Sequence, residues 1–206
     1  VRAEQSVLIN GSGVDLRQFS PAPFPATPTF LLIARFLVEK GVRDFVEAAR
    51  LVRSRHPNVR FVLVGGPDEA NPSSIGRAEL QGWLDEGIVE NPGWLDDVRP
   101  AIAASSVYVL PSYYREGTPR TILEALAMGR PVVTTDAPGC RETVRHGVNG
   151  WLVPPRDPKA LAAALLTFLD DPEPVARMGA ESLALAREKY DVDKVNDVML
   201  AAMDLA

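Results

Sequence analysis

The residues with the clearest chemical potential are two cations and two carboxylates. Arg35 and Lys40 both follow an apolar run that is predicted to be a strand. Two cations at a strand end can hold a diphosphate, arginine through its planar fork and lysine as a point charge. Glu116 and Glu124 have seven residues between them. One carboxylate can then bind the sugar end of an extended nucleotide sugar while the other accepts hydrogen bonds from two ribose hydroxyls.

Each pair also has an ordinary structural explanation. Arg35 and Lys40 are equally consistent with surface charge, paired for example with Glu39. Glu116 and Glu124 are also consistent with a carboxylate in the first turn of a helix and a buried ion pair within that helix. The residue types alone leave both interpretations open, so the elements that carry these residues become important.

A short helix is predicted between two buried strands, and both acidic residues belong to it or to its approach. Thr118 suits the N-cap, Pro119 the first helical position and Gly129 the C-terminal cap. The helix is apolar almost all round, which is typical of a buried helix, and Glu124 lies in its middle. A buried carboxylate is costly unless something pairs with it. Glu116 precedes the helix, where free N–H groups and the positive end of the helix dipole attract anions.

Apolar strands alternate with helices along the whole chain. This alternation predicts an α/β fold, a Rossmann-like, doubly wound parallel sheet with helices on both faces. Ligands bind such sheets beyond the carboxyl ends of the strands, where the loops of this chain carry Gly, Lys, Arg and Glu. The predicted strands are 6–9, 29–34, 59–64, 88–89, 107–110, 131–135 and 150–153, with a turn at 91–93; the predicted helices are 42–55, 77–84, 96 or 97 to 104, 118–129, 139–145, 157–169, 173–190 and 193–205.

The pattern predicts a single Rossmann-like domain over residues 1–206, with a Pro-rich surface loop at 20–28 and C-terminal helices at 173–206. The first residues, VRAEQ, are polar and do not include an initiator Met. A secretory signal peptide would be apolar in this region. We therefore expect a fragment of a longer protein.

The composition argues against several classes of protein. Lys and Arg number 22 against 27 Asp and Glu, a net charge of −5. Binding to nucleic acid phosphates needs a basic surface, so no nucleic acid partner is expected. A single cysteine, Cys140, excludes an internal disulfide framework, and two histidines argue against a metal site. No apolar run approaches the roughly 20 residues of a membrane helix, so we expect a cytoplasmic protein without a membrane span.

Six stretches, in the same order and over essentially the whole chain, resemble the C-terminal half of a retaining GT-B glycosyltransferase of family 4, also called group 1. The two glutamates with their flanking glycine and the following strand are the most specific match. The stretches are 9–19 (INGSGVDLRQF), 34–41 (ARFLVEKG), 64–67 (VGGP), 93–97 (GWLDD), 116–135 (EGTPRTILEALAMGRPVVTT) and 138–154 (PGCRETVRHGVNGWLVP). The last of these resembles bacterial members that build polysaccharide or lipid-linked oligosaccharide.

The resemblance implies a role for each matched residue. Arg35 and Lys40 would hold the donor diphosphate and stabilise its charge as it leaves, in place of a metal. Glu124 would bind the ribose hydroxyls and Glu116 the donor sugar, so that Glu116, Arg35 and Lys40 form the implied catalytic set. The other implied donor-binding residues are Gly65 and Gly66, Val89, Glu90 and Asn91 near the base, and Gly117, Thr118 and Pro119 around the sugar.

The implied donor is a UDP-, GDP- or ADP-sugar, with no cofactor. Catalysis would consist mostly of positioning and electrostatic stabilisation, with retention of the anomeric configuration. A glycan or lipid-linked acceptor would bind to an N-terminal half, which would also provide any membrane association. Without that half, the fragment would bind nucleotide but not turn over. Many members carry Phe-Gly where this chain has Thr118-Pro119, which changes the expected backbone and sugar preference.

Two other functions are consistent with the same pattern. One is a catalytically silent nucleotide-binding or interaction module, although the complete set of four charged residues argues against degeneration. The other is a sugar-nucleotide epimerase on the same fold, which would not need this pair of glutamates. Tyr113 and Tyr114 either line a cleft or pack, while Trp83, Trp94 and Trp151 are interpreted as packing residues.

Overall fold

The computed structural model describes Ile9, residues 11–115 and residues 117–203. The described chain forms six strands and seven α-helices, with 3-10 turns at Val38–Lys40 and Arg141–Thr143 and a π-helical turn at Ala186–Tyr190. The strands are β1 (Thr29–Ile33), β2 (Arg60–Val64), β3 (Glu90–Gly93), β4 (Val107–Leu110), β5 (Val132–Thr135) and β6 (Gly150–Val153). The helices are α1 (Val42–Arg53), α2 (Arg77–Asp85), α3 (Arg99–Ala103), α4 (Arg120–Ala127), α5 (Pro158–Asp170), α6 (Glu173–Leu185) and α7 (Val192–Ala202).

The six strands form one sheet in the order β3-β2-β1-β4-β5-β6, and every neighbouring pair is parallel. The predicted α/β Rossmann-like fold is therefore confirmed. The order reverses between β1 and β4, because the chain moves outward from β1 to β3 and then returns to the other side of β1. At such a reversal the loops after the two central strands diverge and leave a crevice at their carboxyl ends.

Helices cover both faces of the sheet. On one face Phe30 of β1 packs against Phe61 of β2, whose ring meets a phenylalanine of α1 edge-on. Tyr108 of β4 pairs in register with Leu31, so it faces the opposite side from Phe30. The Tyr108 hydroxyl lies 2.7 Å from Thr121 Oγ1 of α4, so α4 covers that second face. The central strands are therefore buried on both sides, which explains their continuous apolar sequences.

The Pro-rich segment 20–28 has no regular secondary structure and is attached to the sheet's amino-terminal edge by Arg130. The buried guanidinium of Arg130 donates to the carbonyls of Ala22 and Pro23 and also to those of Ile102 and Ala103. The ring of Phe24 lies 4.6 Å from the guanidinium carbon. Burial lowers the pKa of Arg130 to about 10, which still leaves it charged at neutral pH.

The strand predicted at 88–89 and the turn predicted at 91–93 are both wrong, because the strand begins at Glu90 and includes the residues of the predicted turn. Ile88 and Val89 precede the strand, and Asn91, Pro92 and Gly93 lie within β3. Proline is tolerated there because β3 is an edge strand, where a missing backbone N–H interrupts no further ladder. The pairing with β2 also shifts register between Val62 and Val64. A short irregular strand of this kind has no clear alternation in its sequence.

Several predicted boundaries also differ from the structure. Helix α3 begins at Arg99 rather than at Asp96 or Asp97, although Asp97 does accept a hydrogen bond from the Arg99 N–H. The predicted helix at 139–145 is only a 3-10 turn, and 173–190 is divided between α6 and the π-helical turn. Pro119, not Thr118, is the N-cap of α4, whereas Asp157 caps α5 as predicted. Of the strand predicted at 6–9, residues 6–8 lie outside the described residues.

Candidate functional site

The loops that follow β1 and β4 are in direct contact at the carboxyl edge of the sheet. The Glu39 carbonyl accepts hydrogen bonds from the Tyr113 N–H at 2.9 Å and the Ser112 hydroxyl at 3.2 Å. Gly41 has a φ of +74°, and a Cβ at this position would lie 2.2 Å from the Pro111 carbonyl oxygen. Only glycine allows so close an approach. This contact between the two loops places the Lys40 ammonium 5.7 Å from the ring centroid of Tyr114.

Arg35 lies in the same β1 loop, at its junction with the β2 loop. Its guanidinium pairs with Asp68 at 2.9 Å, and the Arg35 side chain is 55% exposed. Asp68, not Glu39, is therefore its partner. The Glu39 carboxyl lies near Ser73, whose side chain lowers its pKa, and its buried Oε2 atom has no hydrogen-bond partner among the described residues. An exposed arginine paired with a single carboxylate retains other N–H donors that can bind an anion.

Glu124 approaches the same region from α4. The Tyr108 hydroxyl lies 3.2 Å from the Ile33 carbonyl at the end of β1 and 2.7 Å from Thr121 Oγ1 in the first turn of α4. This contact holds the start of α4 against the end of β1. Glu124, one turn further along, is buried, and its carboxylate lies 3.3 Å from the guanidinium of Arg120. Burial raises the pKa of Glu124, an effect that Arg120 only partly offsets.

The segment before α4 can be described only in part. Glu116 lies outside the described residues, so its position relative to Arg35 and Lys40 stays a prediction. The structure describes Gly117, Thr118 and Pro119, and α4 has no side-chain cap hydrogen bond among the described residues. The Thr118 side chain packs against the turn at Gly11 instead of capping the helix. The Ile122 N–H already donates to the Pro119 carbonyl at 3.1 Å, so the first-turn N–H groups that could bind an anion are those of Arg120 and Thr121.

The structure separates the other predicted donor-binding residues. Gly65 and Gly66 follow β2 at the carboxyl edge, and a Cβ at Gly66 would lie 2.9 Å from the Trp94 indole nitrogen. Val89 is buried before β3, and Glu90 begins that strand at the opposite, amino-terminal edge. The strand predicted at 88–89 would have put Glu90 just beyond its carboxyl end, and this prediction is wrong because β3 begins at Glu90.

Glu90 and Asn91 already have partners within the protein. Arg60 pairs with Glu90 at 2.6 Å, and this interaction holds the pKa of Glu90 below its ordinary range. The Asn91 amide donates to the carbonyls of Leu63, at 2.6 Å, and Gly65, at 3.1 Å. Asn91 thus supports the end of β2 rather than presenting its amide to a ligand.

Two residues near the site had no role in the sequence-based prediction. Asp68 is the partner of Arg35 and could not be paired with it from sequence, because 32 residues lie between them. Trp94 directly follows β3, is 63% exposed and packs beside Gly66, so it is not a core residue. A tryptophan directly after a strand-ending glycine was the available signal. A cavity of 410 Å³ lies between Trp94, Gly66 and α2.

A cavity of 460 Å³ lies elsewhere, beside Thr29 and Arg60 at the amino-terminal ends of β1 and β2. Its lining includes Glu90 and Asn91, two of the predicted donor-binding residues, but not Arg35, Lys40 or Glu124, so it is not the candidate site. Within the described ranges, no group of three or more His, Cys, Asp or Glu residues is arranged to hold a metal ion. None of the helices in the described chain has the length and apolar character needed to cross a membrane.

The fold and the position of these loops are those of a Rossmann-like half of a GT-B glycosyltransferase. Residues 27–171 match the family Glycosyl transferases group 1, and because this is more than half of the chain, the protein belongs to that family. A D-inositol 3-phosphate glycosyltransferase of Thermobispora bispora is 33% identical over 195 residues, which cover 85% of this chain and 45% of the relative.

Two further proteins are also matched over only part of their length. An N,N'-diacetylbacillosaminyl-diphospho-undecaprenol alpha-1,3-N-acetylgalactosaminyltransferase of Campylobacter jejuni is 37% identical over 144 residues, covering 70% of this chain and 36% of the relative. The crystal structure of HepE from Anabaena in complex with UDP superimposes with a TM-score of 0.88 at 25% identity, over 100% of this chain and 59% of HepE. The chain thus spans about half the length of the relatives it matches, or less.

The raised pKa of Glu124 predicts an unusual dependence of stability on pH. A carboxyl group with a folded pKa above its ordinary value of 4.5 stabilises the fold fully below that value, and this contribution is lost as pH rises through the folded pKa. Glutamine cannot ionise. The unfolding free energy of Glu124→Gln minus that of wild type, measured with urea, should therefore become more positive between about pH 4 and 8.

Glu79→Gln is the matched control, because Arg43 holds the pKa of Glu79 below its ordinary value. The contribution of Glu79 is fully present above the ordinary pKa of 4.5 and is lost as pH falls through the folded pKa, so its difference curve should be flat above that value and change only below it. A flat difference curve for Glu124→Gln, or one parallel to that of Glu79→Gln, would contradict the assignment.

Proposed function

We propose that this chain is the donor-binding half of a retaining, metal-independent glycosyltransferase that transfers a hexose-type sugar to a glycan or lipid-linked acceptor. One observation carries the proposal. Contacts among the ends of β1, β2 and β4 bring Arg35, Lys40 and the buried Glu124 to one edge of the sheet. Cations for a diphosphate and a carboxylate for ribose hydroxyls are the groups that a nucleoside diphosphate sugar needs.

Two of the similar proteins support the proposed acceptor and the proposed donor. The Campylobacter enzyme is named for transfer of N-acetylgalactosamine to a sugar-diphospho-undecaprenol, a lipid-linked acceptor. HepE was crystallised with UDP, and also with UDP-glucose. A uracil nucleotide is accordingly the first donor to test, with GDP and ADP sugars as the other candidates.

In the proposed reaction the diphosphate lies between Arg35 and Lys40, whose positive charges stabilise the negative charge that develops as the nucleoside diphosphate leaves. Asp68 orients the guanidinium of Arg35 through their 2.9 Å ion pair. Backbone N–H groups of Gly117 and Thr118 face the sugar, and Pro119 has none to offer. Glu116 contacts the sugar itself, and the base lies toward Gly66 and Trp94. A hydroxyl of the acceptor attacks the anomeric carbon of the sugar on the same face from which the nucleoside diphosphate departs, and its proton passes to the departing diphosphate. The anomeric configuration is therefore retained.

We propose that the acceptor binds to a further half of the enzyme, one that corresponds to the part of the longer relatives that this chain does not match. We propose that the chain alone binds donor but does not transfer sugar, and that the whole enzyme is cytoplasmic, with any peripheral contact with the membrane made through the acceptor half. A silent nucleotide-binding module would bind nucleotide but remain inactive when an acceptor half is supplied. An epimerase would convert UDP-glucose without any acceptor.

The diphosphate clamp predicts that Arg35→Ala weakens UDP binding about 10- to 100-fold, because each lost charge-assisted hydrogen bond costs about 1.5–3 kcal/mol. Uridine, which has no phosphate, should bind within about twofold of wild type. Isothermal titration calorimetry with UDP, GDP, ADP and uridine measures both effects. No binding of any nucleotide at millimolar concentration by wild type would remove the donor-binding function.

Arg43→Ala is the matched control for Arg35→Ala. Arg43 is 51% exposed and pairs with Glu79 at 2.7 Å, much as Arg35 is 55% exposed and pairs with Asp68 at 2.9 Å. Arg43 lies on α1, outside the proposed clamp. UDP affinity should remain unchanged in Arg43→Ala, and equal losses in both variants, or equal losses of UDP and uridine in Arg35→Ala, would count against the clamp.

The ribose role of Glu124 predicts a loss that depends on the sugar hydroxyls. Glu124→Ala should weaken UDP binding about 10- to 100-fold, the value of one or two hydrogen bonds to a carboxylate. It should change the binding of 2′,3′-dideoxy-UDP, which lacks both hydroxyls, by no more than about twofold. Calorimetry with wild type and Glu124→Ala, each with UDP and with 2′,3′-dideoxy-UDP, measures the coupling between Glu124 and the ribose hydroxyls. Circular dichroism verifies that the variant is folded. Equal losses for both ligands would remove the ribose role.

A further inference from the structure

A turn near the start of the described chain lies directly against the segment before α4. The N–H of Gly11 donates to the Ile9 carbonyl at 3.0 Å, and Gly11 has a φ of +68°. A Cβ added to Gly11 would lie 2.8 Å from Thr118 Cβ, 3.0 Å from its Oγ1 and 3.5 Å from its Cγ2. Carbon atoms of side chains do not approach one another this closely, so the absence of a side chain at Gly11 determines where Thr118 can lie.

The turn cannot move away from Thr118, because its other end is held by the C-terminal part of the chain. The Val14 N–H donates to the Tyr190 carbonyl at 2.8 Å, and the Val192 N–H donates to the Val14 carbonyl at 3.1 Å. A Cβ at Gly13, whose φ is +72°, would lie 2.8 Å from Val192 Cα. Residues 11–13, the 11–13 turn, are thus fixed between Thr118 on one side and the junction of the π-helical turn with α7 on the other.

We propose that the 11–13 turn is a positioning element for the donor sugar, because it fixes the Gly117–Thr118 backbone that faces the sugar. This inference rests on the proposed function. The turn itself does not touch the donor. It acts through Thr118, and a displacement of the segment by a few tenths of an ångström changes the N–H groups offered to the sugar while leaving Arg35, Lys40 and Glu124 in place. Misplacement of about 1 Å commonly costs two orders of magnitude in a reaction that depends on positioning.

Gly11 has a matched comparator in Gly87, at the C-terminal end of α2. Gly87 has a φ of +65°, so alanine at either position suffers nearly the same backbone strain. A Cβ at Gly87, however, would meet no atom within 4 Å. Any difference between Gly11→Ala and Gly87→Ala beyond their common loss of stability therefore reports the contact with Thr118.

The experiment compares the binding of UDP and UDP-glucose by calorimetry in wild type, Gly11→Ala and Gly87→Ala. The readout is the dissociation constant for UDP divided by that for UDP-glucose. This ratio measures how much the sugar contributes to binding. Gly11→Ala should reduce this ratio at least about tenfold while changing UDP affinity itself by less than about threefold. Gly87→Ala should leave the ratio within about twofold of wild type. If wild type prefers GDP or ADP, that nucleotide and its glucose conjugate replace the uracil pair.

The backbone amide chemical shifts of Gly117 and Thr118 without nucleotide give a second readout, which does not depend on donor binding. They should change in Gly11→Ala and stay those of wild type in Gly87→Ala, because general destabilisation would not single out this segment. If Gly11→Ala does not fold, Gly11→Asn takes its place, since asparagine tolerates a positive φ better than alanine. A ratio in Gly11→Ala equal to that in Gly87→Ala, or unchanged shifts at Gly117 and Thr118, overturns the positioning role while the donor site stands. Failure of wild type to bind any nucleotide overturns both.

Discussion

The close approach of Gly41 to the Pro111 carbonyl oxygen is the contact on which the candidate site depends. It joins the loops after β1 and β4, the two strands between which the strand order reverses. Those loops would otherwise diverge, since each chain path turns to its own side of the sheet. The hydrogen bonds from Tyr113 and Ser112 to the Glu39 carbonyl secure the same join. Lys40, which lies between Glu39 and Gly41, is consequently held at the central crevice.

The charged groups at this edge are an exposed arginine, a half-buried lysine and a buried glutamate, which are Arg35, Lys40 and Glu124. Arg35 is largely exposed and paired with Asp68, so it can exchange solvent for a phosphate at low cost. Glu124 is buried and lies 3.3 Å from the guanidinium of Arg120, and burial raises its pKa in spite of that partner. A carboxylate kept in such surroundings gains stabilisation from any donor of hydrogen bonds that approaches it. Two ribose hydroxyls would supply such donors. The burial of Glu124 and its raised pKa are therefore consistent with the proposed function.

Local sequence patterns predicted most of the fold, because the central strands are continuous apolar runs and several helices carry standard end signals. Strands β4 and β6 have the predicted bounds, Asp157 caps α5, and Gly129 ends α4 with a φ of +69°. The pattern failed where tertiary contacts replace local signals. Strand β3 is short, polar and at the edge, and Thr118 packs against Gly11 instead of capping α4.

The site could be predicted in part for a related reason. The rule that ligands gather at the carboxyl ends of strands predicted the loop that carries Arg35 and Lys40, and the loops after β1 and β4 do meet. Glu124 was predicted separately, as a carboxylate within an apolar helix. The rule depends on knowing where each strand ends, so the displaced β3 led to Val89, Glu90 and Asn91 in place of Trp94. Partnerships between distant residues, such as Arg35 with Asp68 or Gly11 with Thr118, have no signature in a single sequence.

The central claim is that nucleotide binds at the carboxyl edge of the sheet, across the reversal between β1 and β4. Backbone amide chemical shifts recorded during a titration with UDP test this most directly. The account predicts that the largest changes occur in residues 35–41, 65–68 and 117–124. Largest changes around the cavity at the opposite edge, which is lined by Phe24, Phe168 and Val175, would contradict it.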